Sequence, residues 1–334
     1  MDLWITFLGT AASVPSRARG TSATFVARGG ARLLIDCGEG TQRQFLRSGL
    51  GLADVDAIFI THLHGDHVLG LPGLVKTYAL RGRTKPLHIY GPAGLNRFLG
   101  WVEPLMRTNA FRVVAHEVKP GQDAHRLDGA RVEAFATEHG VPSVGWALVE
   151  DDRPGAFDAD AARALGVTPG PDFGVLQRGG TLEVGDRVVS PADVMGPPRR
   201  GRRVLFTGDT QPCAQTVLAA EGADVLVHEA TFLAADAGRA RETRHSTAAE
   251  AAEVAARAGV RTLVLTHLSG RYPPRDVKRE AQGAFPEVLV PRDFDQLEVP
   301  FPERGQAALR RHGDAPPAGA AVAPGGDPER DGEE

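Results

Sequence analysis

Residues 61–67 read Thr-His-Leu-His-Gly-Asp-His and follow the apolar run Ala57-Ile58-Phe59-Ile60. The run is short, rich in branched side chains and bounded by polar residues, which predicts a buried strand. Three imidazoles and one carboxylate therefore leave a strand end together, and Gly65 lets the loop fold back on itself. A tetrahedral ion takes about four ligands in all and keeps one position open when it is catalytic. So dense a group of donors fits two adjacent metals better than one, His62 and His64 serving the first, Asp66 and His67 the second. A merely solvated loop would not gather three of the eleven histidines in one turn after a core strand. His88, His116, His125 and His312 stand apart in the sequence and read as ordinary solvated side chains.

A two-metal site needs further ligands, and three later strand ends supply candidates. They are Ala134-Phe135-Ala136-Thr137-Glu138-His139-Gly140, Val204-Leu205-Phe206-Thr207-Gly208-Asp209-Thr210 and Thr262-Leu263-Val264-Leu265-Thr266-His267-Leu268. Each pairs an apolar strand with a nitrogen or oxygen donor just beyond it. Thr266-His267-Leu268-Ser269-Gly270 also echoes Thr61-His62-Leu63-His64-Gly65, hinting at two related halves whose strand ends share a cleft. Alone, a Gly-Asp after a strand is an ordinary turn signal; beside the heptapeptide it gains meaning.

Other motifs carry a more specific resemblance. Phe7-Leu8-Gly9-Thr10 precedes the loop Pro15-Ser16-Arg17-Ala18-Arg19-Gly20, and Leu34-Ile35-Asp36-Cys37-Gly38-Glu39-Gly40-Thr41-Gln42 precedes the metal heptapeptide and Gly70-Leu71-Pro72-Gly73-Leu74. Later come His228-Glu229-Ala230-Thr231, His245-Ser246-Thr247 and His267 through Arg271-Tyr272. From about residue 1 to residue 301 the chain resembles the ribonuclease Z family of the metallo-β-lactamase superfamily, endonucleases that trim the 3′ trailer from precursor tRNA. In that family the loop near residue 15 usually carries a lysine and ends in asparagine. Arg17 and Gly20 stand there instead, which keeps the charge but loses an amide.

The resemblance implies an α/β fold, the αβ/βα four-layer sandwich, with halves of about 1–150 and about 200–300. It implies two zinc ions per subunit, and manganese or iron would suit the same donors. His62, His64 and His139 would bind one ion, Asp66, His67 and His267 the other, and Asp209 would bridge them, since a carboxylate has two oxygens. Activated water would attack phosphorus in line, leaving a 3′-hydroxyl on the tRNA and a 5′-phosphate on the trailer. Asp66 would also orient the nucleophile. His245, partnered by Glu229, would protonate the leaving oxygen, and Asp36 would support the metal loop from behind. Arg17, Arg19, Arg271, Gly170 and Pro171 are the expected RNA contacts. A homodimer is implied, in which one subunit's arm reaches tRNA bound at the other's active site; no protein partner beyond this is implied.

That arm is expected within residues 151–203, where six prolines and many glycines interrupt the α/β rhythm. Asp158–Leu165 suggests a short helix, and Thr181–Val184 with Arg187–Val189 a hairpin turning at Gly185-Asp186. Arg199, Arg200, Arg202 and Arg203 form a basic cluster that either meets RNA or is simply solvated. Residues 246–258 read as an alanine-rich helix capped by Ser246 or Thr247. The tail 302–334 lacks apolar periodicity and reads as disordered, so residues 1–301 form the expected catalytic domain.

With 334 residues, 42% of them apolar, the chain can bury a large core. Its net charge of −4 argues for local rather than global attraction of a nucleic acid. No run approaches the ~20 apolar residues of a membrane span, and no signal segment opens the chain. Cys37 and Cys213 give no disulfide framework and read as small buried residues, so the expected setting is the cytoplasm. The alternative within enzymes is a phosphodiesterase or arylsulfatase of the same superfamily acting on small esters, which would not need the long 151–203 excursion. A non-catalytic RNA-binding protein fits less well, because open metal positions serve no structural purpose.

Overall fold

A computed structural model describes residues 1–314. The strands are β1 (Leu3–Gly9), β2 (Ala23–Arg28), β3 (Ala31–Ile35), β4 (Ala57–Phe59), β5 (Leu87–Gly91), β6 (Val113–Glu117), β7 (Asp123–Leu127), β8 (Ala130–Ala136), β9 (Val144–Glu150), β10 (Leu182–Val184), β11 (Arg187–Val189), β12 (Arg203–Phe206), β13 (Val225–Glu229), β14 (Leu263–Thr266), β15 (Gln296–Glu298) and β16 (Ala308–Arg310). The chain divides into two units, one of residues 1–149 with 203 onward, the other Glu150–Arg202.

In the first unit one sheet runs β16-β15-β1-β2-β3-β4-β5-β6 and the other β14-β13-β12-β9-β8-β7. Strand alternation builds the layers. Leu3, Ile5 and Phe7 of β1 and Ala57 and Phe59 of β4 meet Trp146, Val204, Phe206 and Val227 between the sheets. Ile58 and Ile60 point the other way, onto the helices Leu71–Leu80 and Leu95–Met106. Leu205, Leu226 and Leu265 likewise pack against the helix Ala248–Ala258. Strands covered on both faces read as unbroken apolar runs, which is why they are visible in the sequence. The result is a four-layer αβ/βα sandwich. Among the described residues, no helix is long and apolar enough to cross a membrane.

The sheets do not divide where the sequence suggests. β7, β8 and β9, all before residue 151, join the second sheet, and β15 and β16 return to the edge of the first. Local sequence carries no record of which sheet a strand enters, because pairing partners lie far away in the chain.

The start of the tail also departs from expectation. Residues 302–304 form a 3-10 turn, and β16 pairs antiparallel with β15 through Leu297↔Leu309. Strand β15 offers an open edge, and the partly buried Leu309 packs against the inter-sheet core. This single apolar anchor is too short to register as a periodic pattern. The remainder of the expected disordered tail, 315–334, lies outside the described residues.

The second unit has its own core of Ala162, Val167, Leu176, Val189 and Val194, edged by Phe157 and Phe173. Asp158 caps the helix Ala159–Ala164, accepting from Asp160 N and Ala161 N. β10 and β11 form a hairpin with Gly185 at φ +59°. Where this unit's two ends meet, Glu150 and Arg202 form a buried two-pronged ion pair, Nε to Oε2 2.6 Å and Nη2 to Oε1 2.7 Å. Arg202 therefore does not belong to a surface basic cluster.

Candidate metal centre

The carboxyl ends of parallel strands deliver the chemistry. β3 and β4 run parallel in the first sheet, as do β12, β13 and β14 in the second. Asp36 follows β3, His62 to His67 follow β4, Asp209 follows β12, Glu229 ends β13 and His267 follows β14. His139 arrives from the loop after β8, fixed by a bridge between Glu138 and Gln211. Steric detail keeps the loops close. Gly208 lies at φ +61°, and a Cβ there would come within 2.5 Å of the Thr61 Cβ. Asp36 and His267 also adopt positive φ, +57° and +56°, a strained conformation for residues other than glycine.

Two donor sets result. In the first, His62 Nε2 lies 3.0 Å from His64 Nδ1, His139 Nε2 lies 3.3 Å from His64 Nδ1, and Asp209 Oδ2 lies 3.6 Å from His62 Nε2. In the second, Asp209 Oδ1 is 3.3 Å from both His67 Nε2 and His267 Nε2, and Asp66 Oδ2 is 3.3 Å from His267 Nε2 and 3.6 Å from His67 Nε2. Asp209 thus turns one oxygen to each set. Ligands about 2.0–2.1 Å from a tetrahedral ion stand about 3.3–3.4 Å apart, the spacing seen here. His67 Nε2 and Asp209 Oδ1 are buried without a hydrogen-bond partner, although such orphaned polar atoms are costly. Both observations fit a pair of divalent cations.

Four of the five imidazoles are oriented from behind. His67 Nδ1 donates to Asp36 Oδ2 at 2.7 Å, His139 Nδ1 to the Arg244 carbonyl at 3.0 Å and His267 Nδ1 to Thr231 Oγ1 at 2.9 Å. Thr61 Oγ1 lies 3.1 Å from His62 Nδ1 and 2.9 Å from Asp36 Oδ2. Such partners fix the tautomer that leaves the facing nitrogen free for a cation. Burial and the neighbouring His67 hold His62 well below the ordinary histidine range. Burial also opposes charge on His67, but the Asp209 and Asp36 carboxylates outweigh it and push that ring well above the usual value. Asp209, despite burial, stays well below the carboxylate range because His267, His67 and His62 surround it.

Beside these sets, His245 Nδ1 donates to Glu229 Oε1 at 2.7 Å. Glu229 also accepts from Thr210 N at 2.8 Å and from Thr231 Oγ1 at 2.6 Å. Burial lowers the His245 pKa, yet Glu229 more than offsets it, raising the value to about 9. His245 could join Asp209 and His267 in a third donor grouping. Its Nδ1 is committed to Glu229, however, and lies 3.9 Å from Asp209 Oδ2.

The expected RNA contacts fall on separate elements of the chain. Arg17 is exposed, whereas Arg19 is half-buried and donates to the Pro291 carbonyl at 3.1 Å. Arg271 lines a different cleft, with His245. Gly170 and Pro171 start the helix Pro171–Gln177 in the second unit. Thr61, Thr210 and Thr231 carry much of the hydrogen bonding, although the motifs that contain them assign their hydroxyls no role. Cys37 and Cys213 are buried and belong to neither donor set. Three histidines read as isolated are not: His88 Nδ1 lies 3.0 Å from His116 Nε2, and His125 Nδ1 lies 3.1 Å from the Tyr90 hydroxyl.

Residues 16–267 match the family model of the metallo-β-lactamase superfamily. The chain is 48% identical to the ribonuclease Z of Natronomonas pharaonis, over 91% of its own length and 100% of that protein. It is 51% identical to the ribonuclease Z of Myxococcus xanthus, over 90% and 99% respectively. The crystal structure of the short form of human tRNase Z aligns with a TM-score of 0.65 and 31% identity, covering 89% of this chain and 99% of that one. With this similarity covering about nine-tenths of its length, the chain belongs to the ribonuclease Z family of the metallo-β-lactamase superfamily.

Proposed function

We propose that this protein is a metal-dependent endoribonuclease that removes the 3′ trailer from precursor tRNA. One observation supports it above others: Asp209 offers one oxygen to each of two converging donor sets while the His245–Glu229 pair stands alongside. His62, His64, His139 and Asp209 would hold one ion, and Asp66, His67, His267 and Asp209 the other. The nitrogen-rich donors favour zinc. Divalent ions held there supply Lewis acidity, making water a nucleophile near neutral pH and offsetting charge on the phosphoryl oxygens.

The chain's own groups do the rest. Asp66 is half-buried, and its Oδ2 accepts from Ser13 N at 2.8 Å, which holds the carboxylate where it can orient the attacking water. Glu229 keeps His245 in the tautomer and charge state of a proton donor for the leaving 3′-oxygen. Asp36 and Thr231 keep His67 and His267 aligned. Phosphate contacts are assigned to Arg17, Arg19 and Arg271, and the unit Glu150–Arg202, with Gly170 and Pro171, to gripping the tRNA elbow. In this reading residues 1–301, extended by β16, form the catalytic domain, and the protein works as a cytoplasmic homodimer in which one subunit's arm serves the other's active site.

The relatives' identity favours this reading over a small-ester phosphodiesterase or arylsulfatase. The test is incubation with a 3′-extended precursor tRNA, with and without chelator, mapping both product ends. Chelator-sensitive release of a 5′-phosphorylated trailer is expected, and an intact precursor in the presence of zinc would refute it.

A further inference from the structure

The helix Ala237–Thr243 ends just before His245. Two backbone bonds close its last turn, Arg244 N to the Arg241 carbonyl at 3.3 Å and His245 N to the Ala240 carbonyl at 2.8 Å. This paired arrangement turns the chain through a left-handed residue, a place that glycine usually fills. Arginine stands there instead, at φ +56° and ψ +48°. A residue with a side chain is strained in that conformation, so contacts that glycine does not make must hold the arginine in place.

Those contacts are with His139. The Arg244 carbonyl accepts from His139 Nδ1 at 3.0 Å, and the Arg244 guanidinium donates in the opposite sense, to the His139 carbonyl, at 3.1 Å. The first bond belongs to the backbone and survives any substitution at 244; the second needs the side chain. His139 has anchors on its other side as well. Glu138 N donates to Thr210 Oγ1 at 3.0 Å, and Gln211 N to the Glu138 carbonyl at 2.8 Å. Residues 241–244, by contrast, are all exposed. The two bonds to His139 therefore tie this helix end to the first donor set.

What this tie does for the chemistry rests on the functional reading above. As the oxygen of water bonds to phosphorus, the bond from phosphorus to O3′ breaks, and O3′ leaves with the bonding pair and takes a proton from His245. His245 Nδ1 is committed to Glu229, so Nε2 makes the transfer. The His139 and His245 rings stand 5.0 Å apart, centroid to centroid. Proton transfer needs atoms within hydrogen-bond reach, and a misplacement of about 1 Å costs about a hundredfold. Glu229 fixes the tautomer of His245, but one hydrogen bond to the ring does not fix the backbone that carries it. We propose that Arg244 is a positioning residue: by gripping His139 at ring and carbonyl together, it sets the distance between the proton donor His245 and the first donor set.

The test uses the full-length, metal-loaded protein as wild type, Arg244→Met, Arg244→Gly, His245→Ala and Arg244→Met/His245→Ala. Methionine keeps the stem and the strained backbone but removes the donor; glycine removes both donor and strain. Two substrates are compared, a 3′-extended precursor tRNA and bis(p-nitrophenyl) phosphate, whose phenolate leaves without a proton. On the precursor both Arg244 variants should lose ~10–100-fold in kcat with KM little changed. The loss on the ester should be much smaller, and metal content should hold, since the carbonyl that orients His139 remains. Added to His245→Ala, Arg244→Met should cost nothing further on the precursor, because residues that act through one proton transfer are not additive. A role in stability alone would lower both substrates alike and add to the loss in His245→Ala. Equal losses on the two substrates, full additivity, loss of metal, or wild-type kcat in either Arg244 variant would overturn the assignment. A wild type that hydrolyses the ester but cleaves no precursor would instead overturn the functional reading, and this inference with it.

Discussion

Asp36→Asn is the sharpest probe of how the site is held. Asp36 Oδ1 accepts from Thr61 N at 2.8 Å, and Oδ2 accepts from His67 Nδ1 at 2.7 Å. Asparagine tolerates the positive φ of this position as well as aspartate does, so the change isolates the side-chain chemistry. Its amide keeps one acceptor and gains a donor. If the oxygen faces Thr61, the NH₂ confronts the Nδ1–H of His67. His67 must then move its proton to Nε2, the atom turned toward Asp209. If the amide flips, the buried Thr61 N–H loses its acceptor. Either outcome costs about 1–3 kcal/mol. That matches the ~10–100-fold loss of metal affinity typical when a ligand's supporting partner is removed. The loss should fall on the Asp66–His67–His267 set and spare the other. Competition with a chromophoric chelator should therefore show one ion released ~10–100-fold more readily while the second stays. Two ions held at wild-type affinity, or both lost together, would refute the argument that Asp36 sets the tautomer of His67.

The remaining predictions address other parts of the molecule. His245→Ala should keep its metals but lose ~10²–10⁴ in rate, the range for a missing general acid, and loss of metal instead would make His245 a ligand. Gly208→Ala should drive a Cβ into Thr61 and destabilise the fold by about 1–3 kcal/mol, read by chemical denaturation, with weakened metal binding. Arg202→Met removes the guanidinium that faces Glu150, both side chains being at most 3% exposed. It should cost about 3–5 kcal/mol, seen as faster hydrogen exchange across residues 150–202. Deleting residues 151–200 should abolish cleavage of precursor tRNA and leave hydrolysis of a small phosphodiester intact, and equal loss of both would contradict the arm assignment.

Some of this was legible without coordinates, for reasons visible in single elements. The run before Thr61 is apolar because β4 is covered on both faces, and the donor residues stand out because each follows such a run. The Gly185-Asp186 hairpin and the capped helix Ala248–Ala258 were readable because turn and cap chemistry is local. By contrast, the return of β15 and β16 to the first sheet left no local mark. Arg202 looked like one member of a basic cluster because its partner Glu150 lies fifty-two positions away. The roles of the Thr61 and Thr231 hydroxyls were not readable, since their partners Asp36 and His267 lie far away in the chain. His88, His116 and His125 looked isolated because cross-strand neighbours are distant in sequence.

Sequence alone determined which side chains carry nitrogen and oxygen donors, and which strands bring them forward, because both are written in adjacent residues. Only the tertiary structure decided that Asp209 divides its oxygens between two sets and that Glu229 claims His245. Those facts depend on distances between strands that meet only once the two sheets have packed, and such distances have no local cause.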